Sequence, residues 1–91
     1  MELIRIYSTE RCVPCFRLRQ WMMLRDRNRK GIKLAHRIEF RYDNETGDDP
    51  MWDTIKAVPF MFDPNSGKEV YGENQIRQYL DKIDINDRRN L

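Results

Sequence analysis

Leu3-Ile4-Arg5-Ile6-Tyr7-Ser8-Thr9-Glu10-Arg11-Cys12-Val13-Pro14-Cys15 is the stretch on which the fold turns. An apolar segment runs through four polar residues into a Cys-x-x-Cys, and a pattern of helical period follows it. These are the only two cysteines in 91 residues. A strand that delivers two cysteines at this spacing to the start of a helix suits reversible thiol–disulfide exchange.

Residues three apart share one face of a helix, so the two sulfurs can bond with little backbone movement. Cys12 falls at the helix N-terminus, where unpaired N–H groups and the positive end of the dipole stabilise a thiolate. Arg11 adds a cationic neighbour. Cys15 lies one turn further in, where more of it should be buried. Cys12 is therefore the expected nucleophile and Cys15 the expected resolving thiol. Other readings of the pair stand beside this one. A zinc site needs about four ligands, and the chain offers two cysteines and the distant His36, which reads as a surface residue. No metal site is expected within one chain. A metal or cluster shared across a dimer, or a buried cysteine pair without redox chemistry, is the alternative.

Length and composition fit one soluble domain: 91 residues, 40% hydrophobic and 35% charged. No apolar run approaches the roughly 18 residues of a membrane span. The N-terminus has no basic n-region. The expected compartment is the cytoplasm, where paired cysteines serve catalysis or metal binding more often than stapling. Residues 1–42 carry 11 Lys/Arg against 4 Asp/Glu, and residues 43–91 carry 6 against 11. Such asymmetry can steer a partner protein or an anionic ligand, or simply solvate an exposed helix. Nucleic acid is not an expected partner, and the chain is expected to be a monomer.

In order, residues 2–7 predict a buried first strand, and residues 8–11 a polar loop at its C-terminal end, where open α/β sheets build their sites. A helix is expected from Val13 to Asn28, with Pro14 in its first turn and Gly31 as its stop. Its apolar stripe takes in Cys15, Phe16, Leu18, Trp21, Met22, Met23 and Leu24. Met22, Met23 and Met61 read as adaptable core filler. Residues 36–42 alternate polar and apolar and predict a strand parallel to the first. Residues 43–49 form an acidic loop. Asp49-Pro50 caps a short helix, Pro50 to Lys56. Val58-Pro59 opens a strand over 59–62, Asp63 to Gly67 turns the chain, and Lys68 to Tyr71 completes a hairpin. The last helix is expected over Glu73 to Ile83, with residues 84–91 fraying. The sum is an α/β domain of order βαβ-α-ββ-α, a four-stranded mixed sheet with helices on both faces.

With Ile6-Tyr7 leading into Cys12-x-x-Cys15, then Val58-Pro59, then Tyr71-Gly72-Glu73-Asn74-Gln75-Ile76, the chain resembles the glutaredoxins. The likeness is to the thioredoxin fold at large and most closely to the short glutaredoxin/thioredoxin proteins of bacteriophages, over residues 2–82. The resemblance implies a cis-proline at Pro59, with the backbone of Val58 pairing with an extended substrate or with glutathione. It implies that a carboxylate of glutathione sits at the N-terminus of the last helix, by Gly72, Glu73 and Asn74; capping alone would also explain Asn74. Tyr7, Arg11 and Pro14 complete the implied binding residues. Pro14 is thioredoxin-like and the flanking segments are glutaredoxin-like, so glutathione and thioredoxin reductase are both candidate electron sources.

The sequence thus predicts a small dithiol–disulfide oxidoreductase that reduces protein disulfides. No tightly bound cofactor is expected. The resemblance implies ribonucleotide reductase as one partner. The competing readings are a binding module that docks on a host or replication protein through the basic stretch Arg17–Lys33, and a glutathione-ligated iron–sulfur dimer.

Overall fold

The computed structural model describes residues 2–28, 33–42 and 49–89, with side chains of the last helix described as far as Ile83. The elements are β1 (Ile4–Ser8), α1 (Val13–Arg27), a 3-10 turn (Leu34–His36), β2 (Ile38–Tyr42), a second 3-10 turn (Pro50–Asp53), β3 (Phe60–Asp63), β4 (Lys68–Tyr71) and α2 (Glu73–Arg89). The acidic loop 43–48, the helix stop at Gly31 and the basic Arg29 and Lys30 lie outside the described residues.

One four-stranded mixed sheet organises the chain, in the order β2-β1-β3-β4. β1 runs parallel to β2 and antiparallel to β3, and β3–β4 is an antiparallel hairpin. The expected sheet is therefore present. β1 is central, which is why Ile4, Ile6, Tyr7 and Ser8 are all buried. Pairing places Ile4 beside Ile38, Ile6 between Phe40 and Met61, and Met61 beside Val70. Alternate strand residues share a face, so these aliphatic and aromatic side chains line one side of the sheet. Leu18 and Met22 of α1 and Ile76 and Leu80 of α2 close over them to form the core.

Both α-helices lie on that one side. The expectation of helices on both faces is corrected, because the segment read as a helix over Pro50 to Lys56 makes only the 3-10 turn Pro50–Asp53. Its start is as read: the Asp49 carboxylate accepts from the Met51 N–H at 3.0 Å and Pro50 follows. It stops after one turn because Thr54 N–H closes on Met51 O at 3.0 Å, and the chain must then reach the cis Val58–Pro59 bond that leads into β3.

The last helix differs in the other direction. It continues to Arg89 rather than ending at Ile83. No Gly or Pro interrupts residues 73–89, so nothing in the backbone stops the helix once it is nucleated. The first helix ends as expected, with Asn28 N–H closing on Leu24 and Arg25 carbonyls. Asp26, buried near that end, accepts from Leu34 and Ala35 N–H at 2.9 and 3.0 Å and so anchors the return toward β2. His36 falls in the 3-10 turn rather than in the strand, and it is exposed as expected.

The reading of α1 as one broad buried stripe is also corrected. Cys15, Leu18 and Met22 are buried, but Phe16, Met23 and Leu24 are 61%, 60% and 55% exposed. A helix resting on a sheet buries about a third of its circumference, and apolar residues around more of α1 than that cannot all reach the core. No helix among the described residues is long and apolar enough to cross a membrane.

Candidate active site at the start of the first helix

The strand register gathers the candidate residues at one end of the sheet. Ser8, the last residue of β1, pairs with Tyr42, the last of β2. Because β3 runs the other way, its first residue, Phe60, stands beside Tyr7, and Tyr71 of β4 stands beside Phe60. The loop to Cys12, the Val58–Pro59 bond and the start of α2 therefore emerge at the same edge. This is the C-terminal end of β1, where open α/β sheets place their sites.

Cys12 and Cys15 are joined by a disulfide, with 5.2 Å between their Cα atoms. Cys12 is the N-cap of α1: its backbone is extended, and its Sγ accepts from the Cys15 N–H at 3.2 Å. Its carbonyl receives the Phe16 N–H at 3.1 Å, which opens the helical ladder. Pro14 occupies the first turn, where its missing N–H leaves no bond unmade. The two sulfurs are unequal in access. Cys15 is buried at 4% exposure, while Cys12 is partly exposed. No acidic residue stands in the first turn of α1, so nothing there offsets the positive end of the helix beneath Cys12.

The second part of the site is a clamp between the proline loop and α2. Val58–Pro59 is cis, as the resemblance implied. The Pro59 carbonyl accepts from Gly72 N–H at 3.1 Å, and the Gly72 carbonyl accepts from Ile76 N–H at 3.0 Å. Gly72 thus ties the loop to the first turn of α2, and its φ of +93° is one that favours glycine. Gly72, not Asn74, stands at the cap, so capping does not account for Asn74, which is exposed. Glu73 is not an isolated charge at the helix start. Arg17 Nε lies 3.0 and 3.3 Å from its two carboxylate oxygens, and Arg17 Nη2 lies 2.9 Å from Oε1. This bridge also pins α1 to α2 two residues beyond Cys15.

Of the other sequence-derived residues, Arg11 borders this cluster and Tyr7 stands apart from it. Arg11 is exposed on the turn before Cys12. Tyr7 is fully buried on the sheet face away from the helices, and its hydroxyl donates to Asp49 Oδ2 at 2.7 Å. Arg41 Nη1 reaches the same oxygen at 2.6 Å, and the Trp52 ring packs edge-on against Tyr7 at 5.1 Å. Burial pushes the Asp49 carboxyl up, but hydrogen bonds from Tyr7, the Met51 N–H and Arg41 outweigh it and hold the group below the usual carboxylate value. Burial, then the bond to Asp49, pushes the Tyr7 phenol up. The sequence does not link these residues. They lie up to 42 positions apart, and it marks Tyr7 only as an implied binding residue and Asp49 only as a helix cap.

The structure also alters the basic stretch. The Arg25 side chain is only 7% exposed, pairs with Asp81 at 3.6 Å and stacks on Trp21. It belongs to the α1–α2 interface, not to a free surface. A second feature that sequence reasoning missed is a cleft of about 550 Å³ that starts at Cys12 and Cys15 and follows α1. No protein-family model matches the chain, and neither a curated protein nor a solved structure matches it.

Proposed function

We propose that the protein is a small dithiol–disulfide oxidoreductase of thioredoxin-fold type that reduces disulfides in other proteins. One observation carries the reading: a Cys12–Cys15 disulfide caps α1 with one sulfur accessible and the other buried. The position of the Val58–Pro59 loop at the same end of the sheet supports it, since the resemblance to glutaredoxins implies that the Val58 backbone pairs with an extended substrate.

In the reduced protein, the Cys12 thiolate attacks one sulfur of a substrate disulfide. The substrate disulfide breaks, its other sulfur leaves as a thiolate and takes a proton, and a mixed disulfide to Cys12 forms. Cys15 then loses its proton and attacks Cys12 Sγ. That step releases the second substrate thiol and leaves the Cys12–Cys15 disulfide. Two electrons and two protons pass from the motif to the substrate. Regeneration takes the same two electrons from glutathione, oxidised pairwise to its own disulfide, or from thioredoxin reductase with NADPH. Ribonucleotide reductase, which needs a dithiol donor each turnover, is the partner that the resemblance to glutaredoxins suggests.

Reduction of insulin disulfides driven by dithiothreitol is the direct test. The parent should exceed the rate of dithiothreitol alone, and Cys12→Ser should fall to that rate. Cys15→Ser should accumulate a mixed disulfide visible by mass spectrometry. A Cys12→Ser variant as active as the parent removes the nucleophile assignment. Oxidised protein offered glutathione in one vessel, and thioredoxin reductase with NADPH in another, identifies the donor by which re-reduces it faster.

A further inference from the structure

The outer face of α1 carries a stripe that the core does not use. Phe16, Met23 and Leu24 stand exposed along it, and with Arg19, Arg27 and Tyr42 they line the cleft that begins at the two cysteines. The steps from 16 to 19, 23 and 27 are three or four residues, so these side chains stack along one face. Tyr42, on the edge strand β2, forms the opposite wall. One acid, Glu10, lies at the cysteine end.

The two cleft arginines differ from their neighbours on α1. Arg17 is paired with Glu73 and Arg25 with Asp81, both on the α2 side. Among the described residues, no carboxylate pairs with Arg19 or Arg27. Arg19 is nevertheless held in place: its Nη1 donates to the Tyr42 hydroxyl at 2.7 Å, and its guanidinium lies over the Phe40 ring at 5.5 Å. A fixed guanidinium beside exposed aromatic and aliphatic side chains is the composition of a recognition surface.

Length decides what kind of ligand fits. From Cys12 to Arg27 the helix rises about 22 Å at ~1.5 Å per residue. An extended chain covers that distance with about six or seven residues at ~3.3 Å each. A tripeptide thiol would leave half of it empty. We propose that the cleft reads the protein sequence flanking the substrate's reactive cysteine, accepting an extended segment of about six residues that combines apolar and acidic side chains. This rests on the disulfide-reductase reading above, since one end of the cleft is the disulfide itself.

The test uses pre-reduced full-length protein in single-turnover mixing. Two synthetic peptides of equal length carry a cysteine joined through a disulfide to thionitrobenzoate, whose release is coloured. One peptide has aspartate and leucine beside the cysteine, the other lysine and serine. Hydroxyethyl disulfide, too small to fill the cleft, is the reference probe. At peptide concentrations below saturation, the acidic–apolar peptide should react about tenfold faster than the basic one at 0.15 M salt. Arg27→Glu and Met23→Glu, both at exposed positions, should each bring that ratio to about one or below. Lys82→Glu, the same charge change as Arg27→Glu at an exposed position of α2, should leave the ratio intact.

Equal rates for the two peptides in the parent overturn the proposal, and so does a ratio that survives both cleft variants or is lost equally in Lys82→Glu. Each of those results leaves the reductase reading standing if hydroxyethyl disulfide is reduced. Failure to reduce hydroxyethyl disulfide removes both. Sedimentation of the parent as a dimer that Met23→Glu dissociates assigns the cleft to a second copy and also overturns the proposal.

Discussion

The two faces of the sheet are built on different physics. Ile4, Ile6, Ile38 and Met61 face α1 and α2 in an apolar core. On the reverse, Tyr7, Phe60 and Trp52 surround an ionic centre in which Asp49 accepts from Tyr7 and Arg41, and the cover is one 3-10 turn. The first face needs only volume and apolarity, and it supports the helix that carries the cysteines. The second needs particular donors aimed at one carboxylate, because a buried charge is tolerated only when its hydrogen bonds are made. The contrast says that the helical face should dominate stability and the reverse face should dominate its pH dependence.

The largest effect is expected on the helical face. Leu18→Ala, at a fully buried position, should lower the unfolding free energy by ~2–5 kcal/mol, read as a reduced urea midpoint with an unchanged slope. A smaller loss would mean that α1 can settle into the space, and that the core is less tightly fixed than its burial suggests.

Asp49→Asn on the reverse face should cost less, ~1.5–3 kcal/mol at pH 7, the range for hydrogen bonds to a charged group. The sign of its pH dependence follows from the lowered carboxyl. The folded state binds fewer protons than the unfolded state near pH 4. The stability is therefore fully present above the unfolded-state value of about 3.9 and is lost as pH falls through the lower folded-state value. The gap between parent and variant should narrow below pH 4. A gap that stays constant with pH would show that the substitution disturbs packing rather than removing a charge.

The smallest effect belongs to the exposed bridge at the helix ends. Arg17→Ala should cost ~0.2–1 kcal/mol, and less in high salt, because Arg17 is more than half exposed. A larger and salt-independent loss would mark the bridge as part of the core rather than its rim.

These contrasts also explain what could be read in advance. The strands, the cysteine-bearing helix and the hairpin announced themselves through local pattern: a β-branched run ending in polar residues, a Pro in a first turn, the Asp63–Gly67 turn. The cis bond at Pro59 was accessible only through the resemblance. Three things were not legible, each for a physical reason. Asp49-Pro50 marks where a helix starts, but its length was set by the need to reach β3. The apolar residues of α1 wrap too far around for periodicity to say which of them face the sheet, so it does not separate Phe16, Met23 and Leu24 from the buried Leu18 and Met22. The Tyr7–Asp49–Arg41 centre joins three separate segments of chain, and no local signal links residues so far apart.

The two tryptophans of the chain fall on opposite sides of the sheet. Trp21 sits at the α1–α2 interface with the Arg25 and Arg77 guanidiniums over its ring, and Trp52 packs against Tyr7 on the reverse. Each indole is thus a native fluorophore for one layer. Replacing either with phenylalanine leaves a single emitter that watches the aliphatic side or the ionic side alone, so the order in which the layers loosen can be followed optically without attaching a dye.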